Sequence, residues 1–425
     1  MIESLYNVIK VNKENVLVYN TLTNAFVKIE ISIWKSLWSN EAKEYRKILY
    51  KQGILVDSNP AEIISYKYKY YGTAFKNSSL HLAIAPTMKC NFACFYCFEE
   101  GNKNLPLMDE NVENALITFI EKNKRKNISI NWFGGEPLLG FDRIVSICKR
   151  LKEKEIKFKS SLITNGSLLT VEKIQQLDFL NLSFIQITLD GLAEIHDKRR
   201  YFKNGKPSFD IILFNIENFL KMTSIPLTIQ VTTDHSNESA YEDVVNFFEH
   251  KFSNYLKENQ VKIGCNYVLN RTNFEKSSSC YTHQDIIKEN IKSLQRGEKN
   301  GKTPYLPGLS MPCMYRSISS FAIDSQGNIY RCLEHLGNPS CRIGNLPEGK
   351  ISLSKMAETT FENDPFEDEE CIHCNVFPVC GGGCPLDRSG ERKGKSRNCC
   401  SVYKDRLSDL LPYLYENQYK KLKQS

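Results

Sequence analysis

Three cysteines within eight residues, Cys90-Asn-Phe-Ala-Cys94-Phe-Tyr-Cys97, form the first concentration of soft metal ligands in the chain. Three thiolates on one loop leave a four-coordinate metal site one ligand short, and a structural zinc site would draw its fourth sulfur or imidazole from a second paired half. No Cys or His follows Cys97 before Cys148. A four-iron, four-sulfur cluster, which is held by Cys thiolates, suits the triplet better, because one iron then stays open to a small molecule. A second field of cysteines lies toward the other end: Cys313, Cys332, Cys371-x2-Cys374-x5-Cys380-x3-Cys384 and the pair Cys399-Cys400. Its CxxC spacing is compatible with iron–sulfur clusters and with a zinc ribbon.

Composition favours metal ligands over disulfides. The chain has 15 cysteines in 425 residues, an odd number in a long chain. Its start, Met1-Ile-Glu-Ser-Leu-Tyr-Asn-Val, lacks the basic, then apolar, then small-residue pattern of an export signal. A cytoplasmic, reducing location is expected, where clustered cysteines bind metals. No apolar stretch approaches the ~20 residues that span a bilayer, so no membrane partner is expected. The net charge of +7 is spread over mixed Lys/Glu faces and implies no nucleic-acid partner.

The elements that must position the first triplet alternate between strand and helix from about residue 80 to 305. Strand patterns fall at 82–85, 128–133, 161–164, 184–189, 227–231 and 261–268, with helical patterns between them such as 110–123 and 141–154. Such alternation builds a parallel sheet, whose chemistry sits on the loops after the strands. The special residues fall there. Gly134-Gly135-Glu136-Pro137 follows the second strand, where two glycines permit close backbone approach and Glu136 offers a carboxylate to a cation. Thr164-Asn165-Gly-Ser167 ends the third strand and Thr188-Leu-Asp190-Gly191 the fourth.

Before this region, residues 1–75 read as a small α+β unit: strands near 6–11, 16–20 and 25–29, helices near 31–38 and 42–50, and Gly53 closing the second helix. The Tyr- and Lys-rich stretch 58–77 reads as a connector. A polar stretch at 298–303 precedes the cysteine field of 306–400, which opens with a hairpin, Phe321 to Cys332, turning at Gln-Gly-Asn. Residues 401–425 read as a charged helix interrupted at Pro412, with Leu407, Leu410 and Leu411 as a docking stripe. Cys148 reads as a buried apolar side chain, and His196 as a structural residue.

The CxxxCxxC spacing, with Tyr96 just before the third Cys, resembles the signature of the radical S-adenosylmethionine (SAM) enzymes. The resemblance implies a partial (βα)6 barrel, a [4Fe-4S] cluster on Cys90, Cys94 and Cys97, and SAM bound to its open iron and cleaved to a 5′-deoxyadenosyl radical. By the same resemblance the GGEP segment, Gly134, Gly135, Glu136 and Pro137, binds the SAM amino group. Asn165, Ser167, Asp190 and Tyr96 lie around bound SAM, and Arg200, in the run Glu194-Ile-His-Asp-Lys-Arg-Arg200, pairs with its carboxylate. The second field is similar to the SPASM extension, which carries two auxiliary [4Fe-4S] clusters. That likeness gives the outer cluster Cys371, Cys374, Cys380 and one of Cys399 and Cys400, and the inner one Cys313, Cys332 and Cys384, with Cys341 completing it or one iron open.

Residues 1–75 resemble the winged-helix modules that bind the leader of a precursor peptide as an added strand; the plain alternative is a packing cap. The fold class implied is α/β: a partial TIM-like barrel with a winged-helix-like N-terminal module and a C-terminal SPASM domain. The activity implied is oxidative modification of a ribosomally made precursor peptide, through a thioether or carbon–carbon bond. A reducing electron donor such as flavodoxin or ferredoxin is the second expected partner. Two alternatives stay open: a sulfatase-maturing enzyme that forms formylglycine, and a non-catalytic iron–sulfur or zinc protein.

Overall fold

The strands expected between residues 80 and 268 are all present in the computed structural model, which describes residues 1–97, 99, 105–268, 279–296, 307–310, 312–389 and 399–424. The polar stretch 298–303 lies outside the described residues. Two compact units emerge: Met1–Ala74 with Leu269–Cys313 and Phe361–Ser425, and Phe75–Val268 with Met314–Thr360.

In the first unit, β1 (Ile2–Glu3) pairs antiparallel with β5 (Leu55–Val56), and β2 (Asn7–Val11), β3 (Asn15–Asn20) and β4 (Phe26–Glu30) form an antiparallel sheet in that order. Alternation sends Val16 and Val18 of β3 to one face, where they pack with Leu37, Leu49 and Ile54. Leu17 and Tyr19 turn to the other, against Leu407, Leu410, Leu411 and Leu414. The helix carrying those leucines runs unbroken over Leu407–Gln424, so Pro412 does not interrupt it. Proline costs the helix one backbone bond, but the leucines that flank it are buried and hold both sides in place.

The stretch 58–77 is not a connector: Asn59–Ala74 is a helix. Its buried residues Glu62, Tyr66, Tyr70 and Ala74 recur every fourth position and so share one face. Tyr66 stacks edge-on against Phe377 with ring centroids 5.0 Å apart, and Glu62 accepts from Ser4 Oγ and from Leu5 N at 3.0 Å.

The second unit is built on six parallel strands in sequential order: β6 (Ser79–Ile84), β7 (Asn127–Trp132), β8 (Lys159–Thr164), β9 (Leu182–Leu189), β10 (Leu227–Thr233) and β11 (Val261–Tyr267). Helices cross between them, among them Glu110–Lys122, Phe141–Glu153, Phe209–Met222 and Ala240–Lys251. The first of these starts where Asp109 accepts from Val112 N at 2.8 Å. One face of the strands is apolar and fully buried: Ile185, Ile187 and Leu189 of β9 and Leu227, Ile229 and Val231 of β10 pack with helix residues such as Ile216, Phe219, Val244 and Phe248. The residues between them, Gln186, Thr188 and Gln230, are only half-buried. A parallel sheet covered on both faces would be apolar throughout, so this polar face suits a ligand cavity.

The expected hairpin is β12 (Ser320–Ile323) and β13 (Asn328–Tyr330), turning at Gly327 with φ +77°. β12 also pairs in parallel with β6, Phe321 opposite Leu82. β13, β14 (Gly344–Asn345) and β15 (Lys350–Ile351) then extend the same sheet to ten strands. Among the described residues no helix is long and apolar enough to cross a membrane.

Candidate active site

The chain leaving β6 is held from below by the two glycines after β7. A Cβ on Gly135 would lie 2.4 Å from Met88 O and 2.5 Å from Lys89 O, and one on Gly134 2.4 Å from Thr87 O. Gly135 N donates to Thr87 O at 3.3 Å and Glu136 N to Lys89 O at 2.9 Å. The glycines therefore let the second strand's exit lie flat against the stem of the Cys90 loop.

Glu136 does not hold its carboxylate out to a cation. It is fully buried, accepting from Leu138 N at 3.0 Å, Thr164 Oγ1 at 2.7 Å and Asn165 N at 2.7 Å. Burial pushes its pKa up, and those three donors pull it back. Glu136 ties the ends of β7 and β8 together, while Pro137 opens the short helix Pro137–Gly140 that the same carboxylate caps.

Asn165 and Ser167 spend their polar groups on the cysteine loop and on each other. Asn165 Nδ2 donates to Asn91 Oδ1 at 2.8 Å and stands 4.0 Å from Cys90 Sγ; Asn91 Nδ2 donates to Ser167 Oγ at 2.9 Å. Asn91 was not singled out in the sequence, although it lies inside the signature. Cys90, Cys94 and Cys97 are half-buried on this loop, and none of the described cysteines is in a disulfide.

After β9, Asp190 is fully buried and accepts from Tyr96 Oη at 2.7 Å and from Arg199 Nε at 2.8 Å. Arg199 also donates to Asp234 at 2.9 Å and Ser236 at 2.8 Å, and its guanidinium lies 5.2 Å from the Phe95 ring centroid and 5.4 Å from that of Tyr96. It is the brace of the region, and sequence reasoning passed over it for its neighbour. Burial pushes the Tyr96 hydroxyl well above its ordinary pKa, which keeps it a donor. Arg200 gives one Nη1–H to Tyr96 Oη at 2.9 Å, and its Nε is buried with no partner. An unsatisfied buried guanidinium N–H costs about 1–3 kcal/mol or more, and a carboxylate is its natural acceptor. The donor set thus fits a small ligand bearing a carboxylate, beside three thiolates that fit an open-iron cluster. His196 is buried and neutral between Asp190 N and Ser208 Oγ; Cys148 is fully buried.

In the other unit, Cys371, Cys374, Cys380, Cys399 and Cys400 line one cavity of about 770 Å³. Cys371 sits on the helix Glu369–Ile372, capped by Asp368. The turn after Cys380 has three left-handed glycines, Gly381, Gly382 and Gly383 at φ +62°, +82° and +74°. A Cβ on Gly383 would come 1.6 Å from Cys399 O, so only glycine lets the two cysteine segments pass. Cys384, which follows, is outside this lining. Cys313 belongs to the same unit and is exposed, whereas Cys332 and Cys341 belong to the parallel-sheet unit. Among the described residues, no three Cys, His, Asp or Glu side chains converge on one point as around a single metal ion.

Residues 84–248 match the family model of the Radical SAM superfamily. Over 367 residues the chain is 24% identical to the cysteine-type anaerobic sulfatase-maturating enzyme of Clostridium perfringens, covering 79% of this chain and 97% of that one. An uncharacterized protein of Methanocaldococcus jannaschii is 30% identical over 65% of this chain and 92% of its own. Streptococcus suis SuiB, solved bound to the precursor peptide SuiA, has a similar fold, with TM-score 0.55 and 17% identity over 94% of this chain and 99% of SuiB. The chain belongs to the radical SAM superfamily, whose members bind a [4Fe-4S] cluster and SAM, and its fold is the α/β fold of that family with a parallel-sheet core.

Proposed function

We propose that this radical SAM enzyme oxidatively modifies a ribosomally made precursor peptide, joining two of its side chains or a side chain and an α-carbon through a thioether or carbon–carbon bond. The observation that carries the reading is the α+β module of Met1–Ala74. The likeness to SuiB, solved with its precursor peptide, spans 94% of this chain and supports reading the module as one that binds a peptide. Among the described residues the module's sheet ends at β2 and β4, and an extended leader would add as a further strand on one of these edges.

Cys90, Cys94 and Cys97 hold the SAM-binding cluster, and Arg200 takes the SAM carboxylate. Tyr96, Asp190, Asn165, Ser167 and the Gly134–Pro137 segment fix the loop and the strand ends around them. Cys371, Cys374, Cys380 and one of Cys399 and Cys400 hold an outer auxiliary cluster, and Cys313, Cys332 and Cys384 an inner one, in a C-terminal SPASM domain. When bound, the first cluster and SAM supply a hydrogen-abstracting radical; the protein orients the peptide, excludes water and provides the charged partners. A flavodoxin or ferredoxin supplies the electron. The enzyme acts in the cytoplasm.

The sulfatase-maturing reading is favoured by a separate observation, that the chain spans 97% of the Clostridium perfringens enzyme. One experiment separates the two. The reduced, reconstituted enzyme is incubated with SAM and either a precursor peptide encoded beside its gene or the Cp18Cys peptide solved with anSMEcpe. A precursor product lighter by one pair of hydrogens, with no aldehyde trapped by a hydrazide, is expected. A hydrazide-trapped aldehyde on the sulfatase-type peptide, with the precursor untouched, would replace this proposal by the other.

A further inference from the structure

Among the described residues, the cysteine cavity of the first unit is lined by Asp364, Glu367, Asp368, Glu369 and Glu370, and by the cationic side chains of Arg388 and Lys404. Arg388 is anchored by Nε to Asn363 O at 3.1 Å and by Nη2 to Asp368 Oδ2 at 2.5 Å. Its Nη1 points at sulfur: 3.3 Å from Cys371 Sγ and 3.6 Å from Cys399 Sγ, with Gly382 O at 3.2 Å. A side chain kept only for packing has no need to aim one nitrogen at two thiols. The rigid fork of arginine, held on both flanks, fixes that aim where a flexible lysine would not. The Arg388 side chain is 8% exposed, so solvent screens its charge little.

Reducing an iron–sulfur cluster adds a negative charge to the cage and its thiolates. Hydrogen bonds to the sulfurs and a nearby cation stabilise the reduced state and raise the potential, while carboxylates lower it. Among the described residues five carboxylates line this cavity, and Arg388 sets a positive charge against them 3.3 Å from Cys371 Sγ.

We propose that Arg388 is a positioning residue for the outer auxiliary cluster, clamping the thiolates of Cys371 and Cys399 and holding the cluster's reduction potential above the value it would have without this cation. The inference rests on the reading of these cysteines as a cluster site.

The test is an electron paramagnetic resonance redox titration of the full-length reconstituted protein, with iron and sulfide measured on every sample. The signal abolished by Cys380→Ala marks this cluster. Its midpoint is expected to fall in Arg388→Met, to lie between that value and wild type in Arg388→Lys, and to rise in Asp368→Asn, with iron content held. A residue that only supports the fold would move iron content in all three and would not give midpoint shifts of opposite sign. Unchanged midpoints in cluster-bearing variants would overturn the proposal while leaving the cluster reading in place. So would loss of the cluster from both Arg388→Met and Arg388→Lys, which would give the residue an assembly role instead. A wild-type protein with no Cys380-dependent signal and no iron beyond that of Cys90, Cys94 and Cys97 would overturn the cluster reading itself, and the iron count tells that result from the others.

Discussion

The two cysteine sites are held by opposite means. Around Cys90 the thiolates ride on a loop that is locked from every side by strand ends: Glu136 binds β7 to β8, Asn165 and Ser167 grip Asn91, and Asp190 grips Tyr96. Around Cys371 the chain is short helices and turns, fixed by three consecutive left-handed glycines and one arginine. A buried hydrogen-bond network on a sheet resists change because each group removed strands another. A glycine turn depends instead on the absence of a side chain.

The sharpest way to separate them is to insert one methyl group into each. Gly135→Ala places a Cβ against Met88 O and Lys89 O, and Gly383→Ala places one against Cys399 O, in both cases onto backbone that has no rotamer to escape through. Gly135→Ala is expected to cut SAM cleavage at least about a hundredfold, a loss of roughly 3 kcal/mol in barrier terms, with the C-terminal iron retained. Gly383→Ala is expected to lose about four irons per chain and to keep SAM cleavage. Parallel assays of iron content and 5′-deoxyadenosine release check both, and a loss of both properties in either variant would show that the two sites are not independently held.

That contrast also explains what could be read from the sequence. The glycines, the six parallel strands and the helices between them are local patterns, and each appears where expected. What a carboxylate does with its two oxygens is not local: Glu136 faces Thr164 and Asn165, 28 and 29 residues on, and no spacing rule points there. The helix of Asn59–Ala74 was missed because tyrosines on a four-residue period look polar and strand-prone, though Tyr66 and Tyr70 are buried against Phe366. The parallel pairing of β12 with β6 joins segments about 240 residues apart, and nothing in a short hairpin announces it. Arg388 is equally silent in sequence, since its partners Cys371 and Asp368 are 17 and 20 residues away.

Within the site on the parallel sheet, adjacent arginines sharpen the comparison between network and ligand. Arg199 neutralises two buried carboxylates, Asp190 and Asp234. Arg199→Ala leaves both without it and is expected to cost about 3–5 kcal/mol of stability. Arg200→Ala removes one bond to Tyr96, a longer ion pair to Asp190 at 3.9 Å, and the Nε that lacks a partner. Its expected signature is weaker SAM binding, about tenfold or more, with a smaller loss of stability. Thermal unfolding and equilibrium dialysis with labelled SAM measure the two effects. Equal loss of stability with unchanged SAM binding would return Arg200 to a purely structural role.

The smallest effect is the pH dependence built into the network around Asp190. His196 Nδ1 accepts from Asp190 N at 3.3 Å, so the ring hydrogen is on Nε2, 3.1 Å from Ser208 Oγ, and Ser208 in turn donates to Arg200 O at 2.5 Å. Burial, with Arg200 adding to it, pushes the His196 pKa from 6.5 down to about 3. The unfolded chain takes up a proton on this ring near its ordinary pKa, and the folded chain does not until far lower. Stability is therefore present above about pH 6.5 and drains away as pH falls toward 3, by about 2 kcal/mol between pH 7 and pH 5. His196→Gln lacks this titration, so its stability deficit relative to wild type is expected to shrink by about that amount at pH 5. Urea unfolding of the full-length protein at both pH values measures each difference. A His196→Gln deficit equal at pH 7 and pH 5 would mean that the ring gains its proton in the folded state, and that the network around Asp190 tolerates a charge its hydrogen bonds do not accommodate.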